Sequence, residues 1–146
     1  MGLLDNEINN LYEELLGKVY NEITFEEDLS LLDENERVFY VLYTFDLEWC
    51  NGGLCQFFSN SSGEFAPYIS DYLKIVGAIE HKKLYDDFIK ENKINVNDLS
   101  FFKTEDLNEY QDIVNAYPFE DFDDEFSDLE ELADYIEKYY IEKMKK

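Results

Sequence analysis

Apolar residues recur every three or four positions along most of the chain, the period of one face of an α-helix. Leu4, Ile8, Leu11, Tyr12, Leu15 and Val19 form the first stripe. Asp33 and Glu36, three apart, have the form of a capping box and predict the start of a second helix. Its stripe is Val38, Val41, Leu42, Phe45 and Trp49. Phe39, Tyr40, Tyr43 and Leu47 make its other faces apolar too, which predicts a central, buried helix. Asn51-Gly52-Gly53 is the strongest stop signal in the chain, followed by a short apolar segment, Leu54–Phe58, and a polar loop, Ser59–Gly63.

Phe65, Tyr68, Ile69, Tyr72, Ile75, Val76 and Ile79 predict a further helix, with Pro67 tolerable only in its first turn. Leu84, Tyr85, Phe88 and Ile89 predict a shorter one, and Leu107, Tyr110, Val114 and Tyr117 another that Pro118 stops. The closing segment sets Phe119, Phe122, Phe126, Leu129, Ala133, Ile136 and Tyr140 on one face. Ser127 and Glu130 have the S-x-x-E form of a capping box, so a firm helix is expected from near residue 128, while residues 119–126 read equally as helix or irregular chain. With two prolines and six glycines in 146 residues and no internal repeat or linker, the pattern predicts an all-α, single compact domain, 1–146, of six or seven helices.

Charge changes this picture. Thirty-five acidic against twelve basic residues leave a net charge of −23, and self-repulsion of that size opposes compaction. Residues 1–36 hold 11 acids and one base, residues 37–100 hold 9 and 6, and residues 101–146 hold 15 and 5, so the field sits at the two ends. An aromatic content of 17% excludes a disordered acidic tail. Basic patches for nucleic acid are missing, and no run approaches the ~18 apolar residues of a membrane helix. Met1–Asn6 has no basic region leading into an apolar one, and two cysteines are too few for a disulfide scaffold, so a cytoplasmic protein is expected.

The densest acidic stretch is Glu120, Asp121, Asp123, Asp124, Glu125, Asp128, Glu130, Glu131, Asp134 and Glu137, ten carboxylates in eighteen residues. Acids three or four apart on a helix lie roughly 5–6 Å from one another, and duplex DNA carries one charge per ~1.7 Å of its axis. A carboxylate ridge on a rigid helix can thus offer a DNA-like charge pattern to a basic protein. The same acids read more plainly as a solvated helix face. A calcium loop would need an internal glycine, and Asp121–Glu125 has none.

No metal site or cofactor is expected. Cys50 and Cys55 have no zinc-ligand spacing and read as small core residues, and His81 is the only histidine. No phosphate-binding glycine motif occurs, and nothing selects a catalytic carboxylate pair among 35 acids. The polar residues of Asn51–Gly63 read as helix-terminating and loop-capping groups, with a polar pocket for a small molecule or a hydrolytic reaction as the alternative.

Asn51, Gly52, Gly53, Gln56, Phe57, Phe58, Asn60, Ser62 and Gly63 stand in the order N-G-G-x-x-Q-F-F-x-N-x-S-G. This resembles the central signature of a bacterial family named for a neisserial DNA-mimic protein. Ile75-Val76-Gly77-Ala78 and the closing Phe122–Phe126 and Leu132–Ile136 segments are similar to further parts of that family. The resemblance spans 36–146, with an N-terminal acidic helix, 1–32, ahead of it. It implies an all-helical, dimeric acidic protein that occupies the DNA-binding surface of a helix-turn-helix transcription factor. An inhibitor of a basic toxin would use the same acids. The signature holds no carboxylate and is expected to be structural. The partner-binding surface is expected at Glu120, Asp121, Asp123, Asp124, Asp128, Glu131, Asp134 and Glu137.

Overall fold

A computed structural model describes residues 3–145, and the side chains of residues 5–145. Seven α-helices lie among them: α1 Leu3–Val19, α2 Glu34–Ser59, α3 Ala66–Ile75, α4 Ile79–Glu91, α5 Leu107–Ala116, α6 Phe119–Ser127 and α7 Leu132–Tyr139. They form one compact all-α domain. Short 3-10 turns join several of them, and a π-helical turn, Tyr140–Met144, extends α7.

α2 is the axis of the fold. The Asp33 carboxylate accepts from Glu36 N while the Glu36 carboxylate accepts from Asp33 N, so the expected capping box starts the helix. Val38, Phe39, Tyr40, Val41, Leu42 and Phe45 are all fully buried, because α1, α3, α6 and α7 pack around this one rod. Phe45 meets Phe57, Tyr85 and Phe126 edge-on. Such pairs add about 0.5–1.5 kcal/mol each beyond the burial of their area. α1 lays Ile8, Leu15 and Val19 on the core, with Leu11 and Tyr12 packed beside them, while the side chain of Leu4 lies outside the described residues.

Four boundaries differ from the sequence expectations. The N-terminal acidic helix expected over 1–32 ends at Val19, where Asn21 turns its side chain onto the amides of Ile23 and Thr24 and so competes with the helical bonds. Asn51-Gly52-Gly53 kinks α2 instead of ending it, and helix resumes through Leu54–Ser59. The stripe running to Ile79 is split after Val76: Gly77 has φ +85°, Gly77 N donates to Lys74 O, and Ala78 N donates to Leu73 O. That Schellman closure ends α3 and leaves Ile75 and Ile79 exposed.

The fourth difference lies in the closing segment. Residues 119–126 are helical, and the chain breaks at 128–131, where a capping box was expected. Ser127 Oγ donates back to Asp124 O at 2.8 Å instead of receiving an amide from the next helix. The break is held from outside: His81 Nε2 bonds Glu130 O at 2.7 Å, and the imidazole stands edge-on to Phe126 and Tyr135.

Candidate partner-binding surface and the signature segment

The kink in α2 is where the signature meets the acidic segment. Gly53 adopts φ +77° and ψ −176°, a backbone region open essentially to glycine alone. A helix restarting after such a break has amides without intrahelical acceptors. Asp123 of α6 supplies one: its Oδ1 accepts from Leu54 N at 3.1 Å and from Trp49 Nε1 at 3.0 Å. Trp49 lies before the kink and Leu54 after it, so one carboxylate ties the two halves of α2 together. A Cβ on Gly53 would collide with that carboxylate. Burial pushes the Asp123 carboxyl above its ordinary pKa, and the two donated bonds act against that rise.

Gln56, Asn60, Phe57 and Phe58 of the signature are committed as well. Glu48 Oε2 accepts from Gln56 Nε2 at 3.2 Å and from Asn60 Nδ2 at 2.7 Å, joining one turn before the kink to two positions after it. A Cβ on Gly52 would strike Gln56. Phe57 and Phe58 are fully buried, and Lys103 donates to the Asn60 carbonyl. Gly63 lies under the Phe57 and Phe58 carbonyls, where a Cβ would come within 3.0 Å and 2.9 Å of them. Ser62 is buried beside it, whereas Asn51 is exposed. The amides of Gln56 and Asn60 therefore converge on the half-buried Glu48 carboxylate.

The expected partner-binding acids divide. Glu120, Asp121, Asp124, Asp128, Glu131 and Asp134 are exposed, and Glu137 is half-buried. Asp123 faces inward, onto the kink. The remaining acids do not form one ridge. Those of α6 and those of α7 lie on separate helices joined at 128–131, with Asp128 and Glu131 at the joint. Among the described residues the ion pairs are Lys18–Glu36, Lys82–Asp86, Lys83–Asp87 and Lys145–Glu7, so none neutralises residues 120–137.

Sequence reasoning missed Asp46. It projects from the largely buried α2 between two adjoining hollows. One, of about 230 Å³, is lined by Ile8, Tyr43, Leu47 and Ile136; the other, of about 310 Å³, by Trp49, Phe126 and Leu132. Burial, with the charge of Glu131 adding to it, pushes its carboxyl up to about 6, against a weak bond from Cys50 Sγ at 3.9 Å. An acid amid an apolar helical run was the available signal. Cys50, expected in the core, is exposed at this hollow, whereas Cys55 is buried; burial raises both thiols, which keeps them protonated.

An all-helical scaffold whose glycine kink is braced by Asp123, and whose exposed closing helices carry acids without cationic partners among the described residues, defines an all-α acidic protein. The family model of the DMP19-like proteins, DMP19 being DNA mimic protein 19, matches residues 30–143, and the chain belongs to that family. No curated protein and no solved structure matches the chain. No helix among the described residues is long and apolar enough to cross a membrane.

Proposed function

We propose that this protein is a non-enzymatic binding module that presents DNA-like charge and occupies the DNA-binding surface of a basic protein, such as a helix-turn-helix transcription factor. The observation that carries the reading is the set of exposed carboxylates on α6, on α7 and at the joint between them, seated over buried Phe119, Phe122, Phe126, Leu132 and Ile136. Membership of a DNA-mimic family supports it. A buried apolar face under each acid row fixes where the charges stand, which a merely solubilising coat does not require. The reading sets the protein in the cytoplasm beside its partner, and a homodimer would double the acidic surface.

Electrophoretic competition tests this. A candidate regulator on its operator DNA should be released by the wild-type protein, with an affinity that falls steeply with salt, as DNA binding does. The variant Asp124→Asn, Asp128→Asn, Glu131→Gln, Asp134→Asn should compete poorly. A regulator that stays on DNA at every ratio, or a variant that competes like the wild type, removes this surface from consideration.

A further inference from the structure

Between α1 and the first 3-10 turn, residues 20–27 form a closed loop that the family match, starting at residue 30, does not reach. Tyr20 and Glu27 make an antiparallel bridge, Asn21 N donates to Glu26 O at 2.9 Å, and Phe25 N donates to Asn21 O at 2.8 Å. The Asn21 carboxamide accepts from Ile23 N at 2.8 Å and Thr24 N at 3.1 Å, and Glu27 accepts the Tyr40 hydroxyl from the core. The tip of this braced loop points two large apolar side chains into solvent: Ile23 is 88% exposed and Phe25 76%. Phe25 does so at φ +61°, a conformation that bulky residues rarely adopt.

Acids surround the tip. Glu22, Glu26, Glu27 and Asp28 fall within seven residues, no base occurs from residue 20 through residue 36, and the Glu64 carboxyl feels the charges of Glu26 and Glu27. A second copy of this chain would set these acids against themselves, and an anionic membrane would repel them in the same way. An apolar cleft rimmed by lysine and arginine satisfies both the side chains and the charge. We propose that Ile23 and Phe25 form an apolar anchor that seats in such a cleft on the basic partner protein. The inference rests on the reading of a basic partner. It adds what charge alone lacks, since aromatic anchors in desolvated pockets dominate most protein interfaces.

The test uses the full chain with a photocrosslinking p-benzoylphenylalanine at position 25, and the same group at Leu107, itself 72% exposed, as control. After irradiation in native lysate at low salt, the crosslinked protein is identified, purified and titrated by calorimetry. Wild type, the Ile23→Ser, Phe25→Ser double variant and the four-fold carboxylate variant are compared. The expected result is a basic protein crosslinked at position 25 and not at 107, with affinity lowered at least about tenfold by the double variant and an unchanged salt dependence. A crosslink to a second copy, to lipid or equally at both positions overturns the anchor, as does an equal affinity of the double variant. If the double variant binds weakly while the carboxylate variant binds like the wild type, the anchor stands and the DNA-mimic reading fails.

Discussion

Asp123 and Leu54 are sixty-nine positions apart in sequence and joined by one 3.1 Å bond from amide to carboxylate. The bond makes an acid of the most charged segment into the cap of a helix half that begins after a glycine kink. It also removes Asp123 from the surface that its charge would suggest. Replacing it with alanine leaves the Leu54 amide and the Trp49 indole without this acceptor, a loss of about 1–3 kcal/mol. At about 2–4 °C per kcal/mol, the melting temperature should fall by roughly 2–12 °C. Asp123→Asn keeps an acceptor oxygen and should fall less. Because Trp49 is the sole tryptophan, its fluorescence during thermal unfolding reports both effects.

The two kink glycines should separate by conformation. Gly53→Ala meets both a φ of +77° and the Asp123 carboxylate, so it should destabilise by more than the ~1–3 kcal/mol of a strained backbone alone. Gly52 has a negative φ, −156°, outside the left-handed region, and a Cβ there meets the Gln56 side chain, which can shift by giving up its bond to Glu48. Gly52→Ala should therefore be the milder change in denaturant titration, and the reverse order would disprove this account of the kink.

Asp46 gives a pH dependence of defined sign. Its carboxyl is pushed up to about 6 in the fold, above the ordinary carboxylate value, so the folded state holds its proton longer than the unfolded chain does. Its contribution to stability therefore declines as pH rises between about 4 and 6. Asp46→Asn should melt above the wild type at pH 7, and the difference should shrink below pH 4.

His81 has the opposite sign. Burial lowers its pKa, while its bond to the Glu130 carbonyl and the charges of Glu80 and Glu130 act against that. Stability held above the ordinary histidine value should be lost as pH falls through and below about 6.5. His81→Gln retains a donor for Glu130 O and cannot gain this charge. Melting curves of the wild type and the variant should diverge as pH falls from 7 to 5, with the wild type losing more.

Screening should stabilise the whole domain. At a net charge of −23, raising ionic strength from 0.01 to 0.15 M shortens the Debye length from about 30 to 8 Å. The melting temperature should rise with salt. It should rise less for the variant neutralised at Asp124, Asp128, Glu131 and Asp134, which begins with less repulsion to screen.

Much of the fold is local and legible in the chain. Helical periodicity is written in side chains three and four apart, and the Asp33–Glu36 capping box involves only neighbours, so α2 begins where the pattern predicts. Phe119, Phe122 and Phe126 likewise mark a buried face whether or not the helix continues. The path of the chain beyond Ser127 has no such local mark, because the same S-x-x-E pattern serves an exposed serine bonding back to its own helix. The break at 128–131 depends on His81, forty-nine positions from Glu130.

The candidate surface shows the same division. Its charge and the apolar stripe beneath it are properties of the sequence, as is the requirement for glycine near residue 53. Which acid stays on the surface is a tertiary matter, because a carboxylate in a run of ten has no local mark separating a ligand for solvent from a cap for a distant amide. Packing α6 against α2 brings Asp123 to Leu54 and leaves Asp124 outside. Only that long-range contact gives one carboxylate of the run a structural role and leaves its neighbour exposed.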